Sequence, residues 1–340
     1  MPNIELNIDS DSLLSFCQNR PLDSDFDEVE SEKYFLWKDL FWFIKSELAN
    51  INFQINDKDS FENNSSNPDY SLIRFLLDKH LSSSNSNVII RNNLNHIEVN
   101  KYPFSKFNLS TEINICTSKS YCLNNGNILN NWNDLRNLKP RTISPRFKDN
   151  YTLNGWSDLK SLVIPCNSVL ICDNYLFSYT GSFENNFSKL IDAFLPNNKK
   201  GEFHLVIITS VFYGYDKTKK QNTTKIEKIY KTILNILNEK GFEKAVFTLV
   251  EATVEDTHDR HIYTNYQVIK SGHSFNYFNK ESRVSLLQST TLDIISLIAK
   301  NDKGLYINQY INFIKYCKSI VEKAKDENII GAKKCRLFNF

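Results

Sequence analysis

Glycine is scarce in this chain, with nine residues among 340. None of the glycine-built signatures is present: no Walker A loop, no G-x-G-x-x-G and no G-x-S-x-G elbow. Those routes to nucleotide binding and to serine hydrolysis are therefore excluded as readings. Long apolar runs are missing too, since none approaches the roughly 18 residues that span a bilayer. The opening MPNIELNIDSDSLL lacks the basic and apolar regions of a secretory signal. Cysteine is present but not in a metal-type pattern. The seven cysteines include no C-x-x-C, and the closest pairs, Cys116/Cys122 and Cys166/Cys172, are spaced more widely than zinc ligands. They read as free thiols in a reducing compartment. The expectation is a soluble cytoplasmic protein with no cofactor and no metal. A formal net charge of +2 gives no protein-wide field for a polyanion, so any nucleic-acid or lipid site must be a local patch.

What is present is ordinary globular material, 41% hydrophobic and 24% charged, in a chain long enough for two domains. Asparagine is very frequent, a mark of an AT-rich and bacterial-looking composition, and single asparagines carry little weight. The first thirty or so residues are acidic, with Asp23, Asp25, Asp27, Glu28, Glu30 and Glu32 close together. They read as a solvated arm or as a surface for a basic partner. Tyr34 to Ile51 places Trp37, Phe41, Phe43 and Ile44 at helical spacing, as core or as a docking face. Asn56 to Asn67 reads as a loop, Leu72 to Leu81 as a helix and Asn87 to Ile90 as a short strand. Asn108 to Trp132 alternates weakly. LKPRTISPRFKDN (138–150) reads as a linker or extended crossover, and its cations as a solvated connector or the lining of an anion groove.

The second half is more regular. SVLICDNYLF (168–177), FHLVIITSVF (203–212) and KAVFTLVEAT (244–253) read as buried strands. Between them lie helical patterns over Glu184 to Leu195 and Thr223 to Lys240, with Gly241 as the stop of the second. Thr223 and Thr224 stand where a cap would be, after the basic run KTKKQNTTK (217–225). Further helices are expected over Val284 to Ile298 and Tyr306 to Ala324. The fold class that follows is α/β. A C-terminal domain over 151–340 holds a mixed, largely parallel sheet flanked by helices, and an N-terminal α+β domain over 1–150 is of unassigned type.

Directly after the third strand comes HDRHIYTNYQVIKSGHSFN (258–276), which holds three of the six histidines. His258 is followed by Arg260, then after four residues by Asn265, and after six more by Gly272, His273, Ser274 and Asn276. In an α/β sheet ligand sites collect where strands end, which is where this segment falls. A metal site on His258, His261 and His273 is a poor reading, because H-x-x-H on a strand turns its two rings to opposite faces. Structural use of all three, near a sheet edge, is the plain alternative to phosphate binding.

The spacing of this segment resembles the H-x-K, four residues, D, six residues, G-S-x-x-N motif of the phospholipase D superfamily. Arg260 replaces the Lys, Asn265 the Asp and His273 the Ser. The H-D-R wording is similar to the phospholipase D-like C-terminal domain of MIT-domain proteins, which is regarded as a non-catalytic membrane binder. The resemblance covers about residues 160–340. It implies a catalytic role for His258 as nucleophile, supported by Asn265, and phosphate binding by Arg260, His273, Ser274 and Asn276. Arg for Lys keeps the charge and adds a bidentate fork. Asn for Asp removes the carboxylate that would support an imidazolium, so binding survives these changes better than hydrolysis does. His80 and His96 lack a second set of motif residues, so the chemistry would need a two-fold homodimer. The readings that follow are a phosphodiester-binding protein, nuclease-like within a bacterial defence or DNA-processing system, or an inactive module that binds a phosphate, a lipid headgroup or a protein. A protein partner for the N-terminal domain completes the set.

Overall fold

A computed structural model describes residues 4–21, 28–46, 49–64, 66–82, 86–90, 113–115, 129, 132–133, 136, 141–143, 153–160, 162–163, 166–179, 181–195, 202–214, 216, 218–219, 221, 224–257, 259–278, 291–301 and 304–338. The chain forms two compact units, 3–137 and 138–340. No helix among the described residues is long and apolar enough to cross a membrane.

The first unit is built on strands β1 (Ile4–Asp9), β2 (Ala49–Gln54), β3 (Val88–Ile90) and β4 (Ile113–Ile115), in the order β3-β2-β1-β4. Every pairing is parallel, so this unit is α/β rather than the α+β expected. Parallel neighbours need crossovers, and helices α1 (Ser10–Gln18), α2 (Glu28–Lys45), α3 (Lys58–Asn63) and α4 (Ser71–Ser82) lie between them in sequence. The beginning of the chain is thus no solvated arm: Leu6, Asn7 and Ile8 are buried in the middle of the sheet. Asn52 Nδ2 donates to Asn7 Oδ1 at 2.9 Å, satisfying an amide pair that the apolar faces would otherwise penalise. Asp9 ends β1 and caps α1, its carboxylate accepting the Ser12 N–H at 2.7 Å. The Asn56 to Asn67 segment, expected as a loop, contains α3, capped in the same way by Asp57. Helix α2 buries Trp37, Leu40, Phe43 and Ile44, while Phe35 and Trp42 face solvent. Its Asp39 receives Arg136 through two nitrogens at 2.7 and 3.1 Å and the Trp132 indole at 2.9 Å. Asp23, Asp25, Asp27, Cys116 and Cys122 lie outside the described residues.

The second unit is an eight-stranded sheet. Its strands are β5 (Arg141–Ile143), β6 (Ser168–Cys172), β7 (His204–Thr209), β8 (Val246–Glu251), β9 (Arg260–Thr264), β10 (Gln267–Ser271), β11 (Leu292–Ser296) and β14 (Ile329–Gly331). A separate two-stranded ribbon pairs β12 (Lys300–Asn301) with β13 (Gly304–Leu305). The order across the sheet is β14-β8-β7-β6-β9-β10-β11-β5. Among the described strands of this sheet, only β6–β7 and β7–β8 are parallel, and the other strand pairs are antiparallel. The sheet is mixed, but it is not largely parallel. The connection between β9 and β10 is Asn265-Tyr266, too short for anything but an antiparallel hairpin.

Helix α5 (Trp156–Leu159), a π-helical turn (Phe183–Phe187) continuing into α6 (Ser188–Asp192), α7 (Ile226–Glu239) and α8 (Tyr306–Lys323) complete the unit. Helix α7 buries Ile226, Ile229, Ile233 and Leu237, the apolar face seen in its spacing. Thr224 does not cap it. Its hydroxyl donates to the Tyr213 carbonyl, and the cap position is Lys225; Thr223 lies outside the described residues. The helix expected over Val284 to Ile298 is corrected as well. Residues 279–290 lie outside the described set, and Leu292–Ser296 is a strand. A short apolar run covered on both faces has no period that separates strand from helix. Arg141–Ile143, inside the expected linker, pairs with Leu292, Asp293 and Ile294 of β11.

Candidate anion site at the end of strand β6

Strand β6 is apolar and fully buried, and the first residue beyond it is Asp173, itself wholly buried. A carboxylate in that position must be hydrogen-bonded or neutral. Asp173 Oδ1 accepts the Tyr175 N–H at 2.9 Å, an Asx-type turn that reverses the chain. Its Oδ2 accepts the Ser274 hydroxyl at 2.8 Å and the Phe275 N–H at 2.7 Å. Burial pushes its pKa up from 3.8 to about 6, against the three hydrogen bonds and the field of Arg260, which hold it down.

Arg260 reaches this place because of register. Strand β9 lies antiparallel to β6 with His261 opposite Cys172, so Arg260 falls beside the end of β6. On the other side Arg260 pairs with Ser271, which brings Gly272 to the same end. Arg260 Nη1 donates to the Gly272 carbonyl at 3.2 Å, and its Nε is buried with no hydrogen-bond partner among the described residues. Asn276 Nδ2 donates to the Tyr175 carbonyl. That contact orients the amide and leaves Asn276 Oδ1 buried without a partner among the described residues, as is Asn174 Oδ1.

The segment beyond Asn276 is anchored by Asn186 of the π-helical turn. Asn186 Oδ1 accepts the Phe278 N–H and the Trp156 indole N–H, both at 3.0 Å, and its Nδ2 donates to the Phe278 carbonyl at 2.9 Å. Trp156 stacks on Tyr277 with centroids 5.2 Å apart. The other approach to the site, the β8–β9 loop, is tied down by Ser210 at the end of β7. Ser210 Oγ donates to the Thr253 carbonyl at 2.9 Å and is hydrogen-bonded to the buried Thr257 hydroxyl.

The residues singled out from the sequence divide into three groups. Arg260, Ser274 and Asn276 meet at the end of β6. His273 is in the same segment but exposed, with its backbone bonded to Ser271. Asn265 is not brought there. It sits in the hairpin turn at the opposite end of β9, where its Oδ1 accepts the Ser168 N–H at 3.1 Å. Ser168 is five residues before Asp173, a separation of roughly 16 Å along a strand. Its amide closes the start of β6, and the structure does not bring it to Arg260, Ser274 and Asn276. His258 lies outside the described residues, between Thr257 and Asp259. His261 packs its ring against Phe313 of α8 and Tyr263, with centroids 4.8 and 5.6 Å away, and burial lowers its pKa. It belongs to an aromatic cluster and not to the anion site. No group of three or more His, Cys, Asp or Glu able to hold a metal occurs among the described residues.

Asp173 was missed from sequence. Its signal was its place as the first polar residue after an unbroken apolar strand, at the carboxyl end of a parallel pair, where α/β sheets bind ligands. The chain matches no protein-family model, no curated protein and no solved structure.

Proposed function

We propose that the second unit is a phospholipase D-like module that binds a phosphodiester group, with nucleic acid as the polymer that presents it. One observation carries the reading: the spaced motif folds as a hairpin whose two ends, Arg260 and the Gly272–Asn276 segment, meet beside the C-terminal ends of the parallel strands. A guanidinium with a buried, unpartnered Nε suits two oxygens of a phosphate. In this reading the protein serves as a nuclease-like component, and any hydrolysis would use His258 of two copies brought together in a homodimer.

The alternative, a catalytically silent binding module, is favoured by a specific feature. Ser274 and Asn276, phosphate ligands by resemblance, already donate to Asp173 and to the Tyr175 carbonyl. Arg260 is then left as the principal anion donor, which suffices for binding.

Labelled single-stranded DNA, RNA and duplex DNA, with anionic vesicles alongside, would be titrated against the wild type and Arg260→Ala. Loss of a charge-assisted hydrogen bond should weaken nucleic-acid binding by about ten- to a hundredfold, with a steep salt dependence in the wild type. Equal affinity in the two proteins would remove the reading. Binding to vesicles alone would move the ligand from nucleic acid to a lipid headgroup. Cleavage that requires His258 would favour the nuclease, and binding without cleavage the silent module.

A further inference from the structure

Asp173 is an unusual residue to find in an anion site. It is wholly buried, it takes three hydrogen bonds, and its charge lies in the field of Arg260. Two of those bonds come from Ser274 and Phe275, so the carboxylate also positions the segment that closes the site. When it is ionised, its charge and that of Arg260 cancel. A ligand bearing one negative charge then gains the guanidinium at short range and meets little net repulsion. A second negative charge finds no further donor on Arg260, and the attraction of the guanidinium that would otherwise favour it is offset by Asp173.

We propose that Asp173 is a charge selector: it makes the site accept singly charged phosphodiesters and reject doubly charged terminal phosphates. This rests on the anion-binding reading above and deepens it. An internal diester carries one charge, whereas a phosphomonoester carries about 1.5 to 2 near neutral pH. In a partly buried site the extra repulsion amounts to about tenfold in affinity. The selectivity should fade as Asp173 takes up a proton, which burial brings toward the neutral range.

The surroundings bear on the pH dependence. From β9 the charged neighbour is Arg260, and the Gly272–Asn276 segment carries the exposed His273. The turn after Asp173 carries Tyr175, and the end of β7 offers Thr209 and Ser210, which do not titrate in this range. The end of β8 carries Glu251, and the β8–β9 loop carries Glu255, Asp256, His258 and Asp259, of which His258 is outside the described residues. The comparison with Asp173→Asn subtracts any effect of pH that does not come from Asp173.

Sulfate and methyl sulfate serve as probes, because their charges of two and one stay fixed from pH 5 to 8. Their affinities for the full-length wild type and Asp173→Asn would be measured by NMR titration at both pH values. At pH 8 the wild type should prefer methyl sulfate over sulfate about tenfold more strongly than the variant does. At pH 5 the wild-type ratio should approach that of the variant, whose own pH change reports every group other than Asp173. Equal ratios in the two proteins at pH 8 overturn the selector and leave the anion site standing. If Asp173→Asn does not fold, the carboxyl carbon of Asp173 in labelled wild type decides: sulfate should raise its titration midpoint more than methyl sulfate does, and equal or absent shifts overturn the proposal. If neither anion binds and Arg260→Ala changes nothing, the anion-binding reading falls and the selector with it.

Discussion

The Asp173 carboxylate and the Ser274 hydroxyl meet at 2.8 Å across 101 positions of the chain. That bond joins the end of a parallel strand to the segment that follows an antiparallel hairpin. It gives the candidate anion site a floor that does not depend on a ligand.

The same carboxylate should make stability depend on pH. Its folded pKa is raised from 3.8 to about 6, so between these values the folded state holds a proton that the unfolded state has released. Stability from this group is fully present below about pH 4 and is lost as pH rises through about 6. The loss is on the order of 3 kcal/mol if the group titrates alone. Urea unfolding at pH 4.5 and 7 should show about 2 kcal/mol of this fall in the wild type relative to Asp173→Asn. Parallel pH profiles for the two proteins would show that Asp173 ionises normally.

Asn265→Asp should destabilise the protein and leave anion affinity unchanged. The position is wholly buried and its Oδ1 already serves the Ser168 N–H. A carboxyl there would have its pKa raised by burial. The destabilisation should therefore be small near pH 4 and reach roughly 1–3 kcal/mol at pH 7. Restored phosphodiester hydrolysis in this variant would reverse the placement of Asn265 away from the chemistry.

Asn186→Ala should be costly although it touches no ligand. The side chain satisfies the Trp156 indole and both backbone groups of Phe278 in a buried setting. The Phe278 carbonyl keeps the Tyr179 hydroxyl at 3.0 Å, and leaving the two N–H groups unpaired costs about 2 kcal/mol or more. Denaturant unfolding followed by tryptophan fluorescence would measure it. A change below about 1 kcal/mol would mean that water takes over these bonds.

A fragment spanning 138–340 should fold, and one spanning 155–340 should be less stable. The shorter piece lacks β5, whose Ile143 is buried against β11. Burial of one such side chain is worth roughly 1.5–3 kcal/mol. Calorimetric melting of the two fragments side by side would test the difference; identical melting temperatures would assign β5 no share in the sheet's stability.

Much of the second unit was legible because its signals are local. The apolar face of α7 and the unbroken runs of β6, β7 and β8 each state their own structure. Strand direction was not legible, since apolar runs look alike in parallel and antiparallel neighbours. Strand β1 was hidden because Asn7 and Asp9, polar and buried, interrupt a six-residue strand covered on both faces. At the site, the motif spacing pointed to Arg260 and Ser274. Neither the distance of Asn265 nor the partners of Asp173 could be read, because both depend on pairings between residues about a hundred positions apart.

Strand β6 is the seam of the eight-stranded sheet, parallel to β7 on one side and antiparallel to β9 on the other. Asp173 extends from the seam strand itself, while Arg260 belongs to the first strand across it. Any sliding of the antiparallel half, β9-β10-β11-β5, against the parallel half would change the Asp173–Arg260 separation before it disturbed either half internally. The candidate site thus bridges the joint between the two halves, and a displacement of the outer strand β5 would reach Arg260 through β11, β10 and β9.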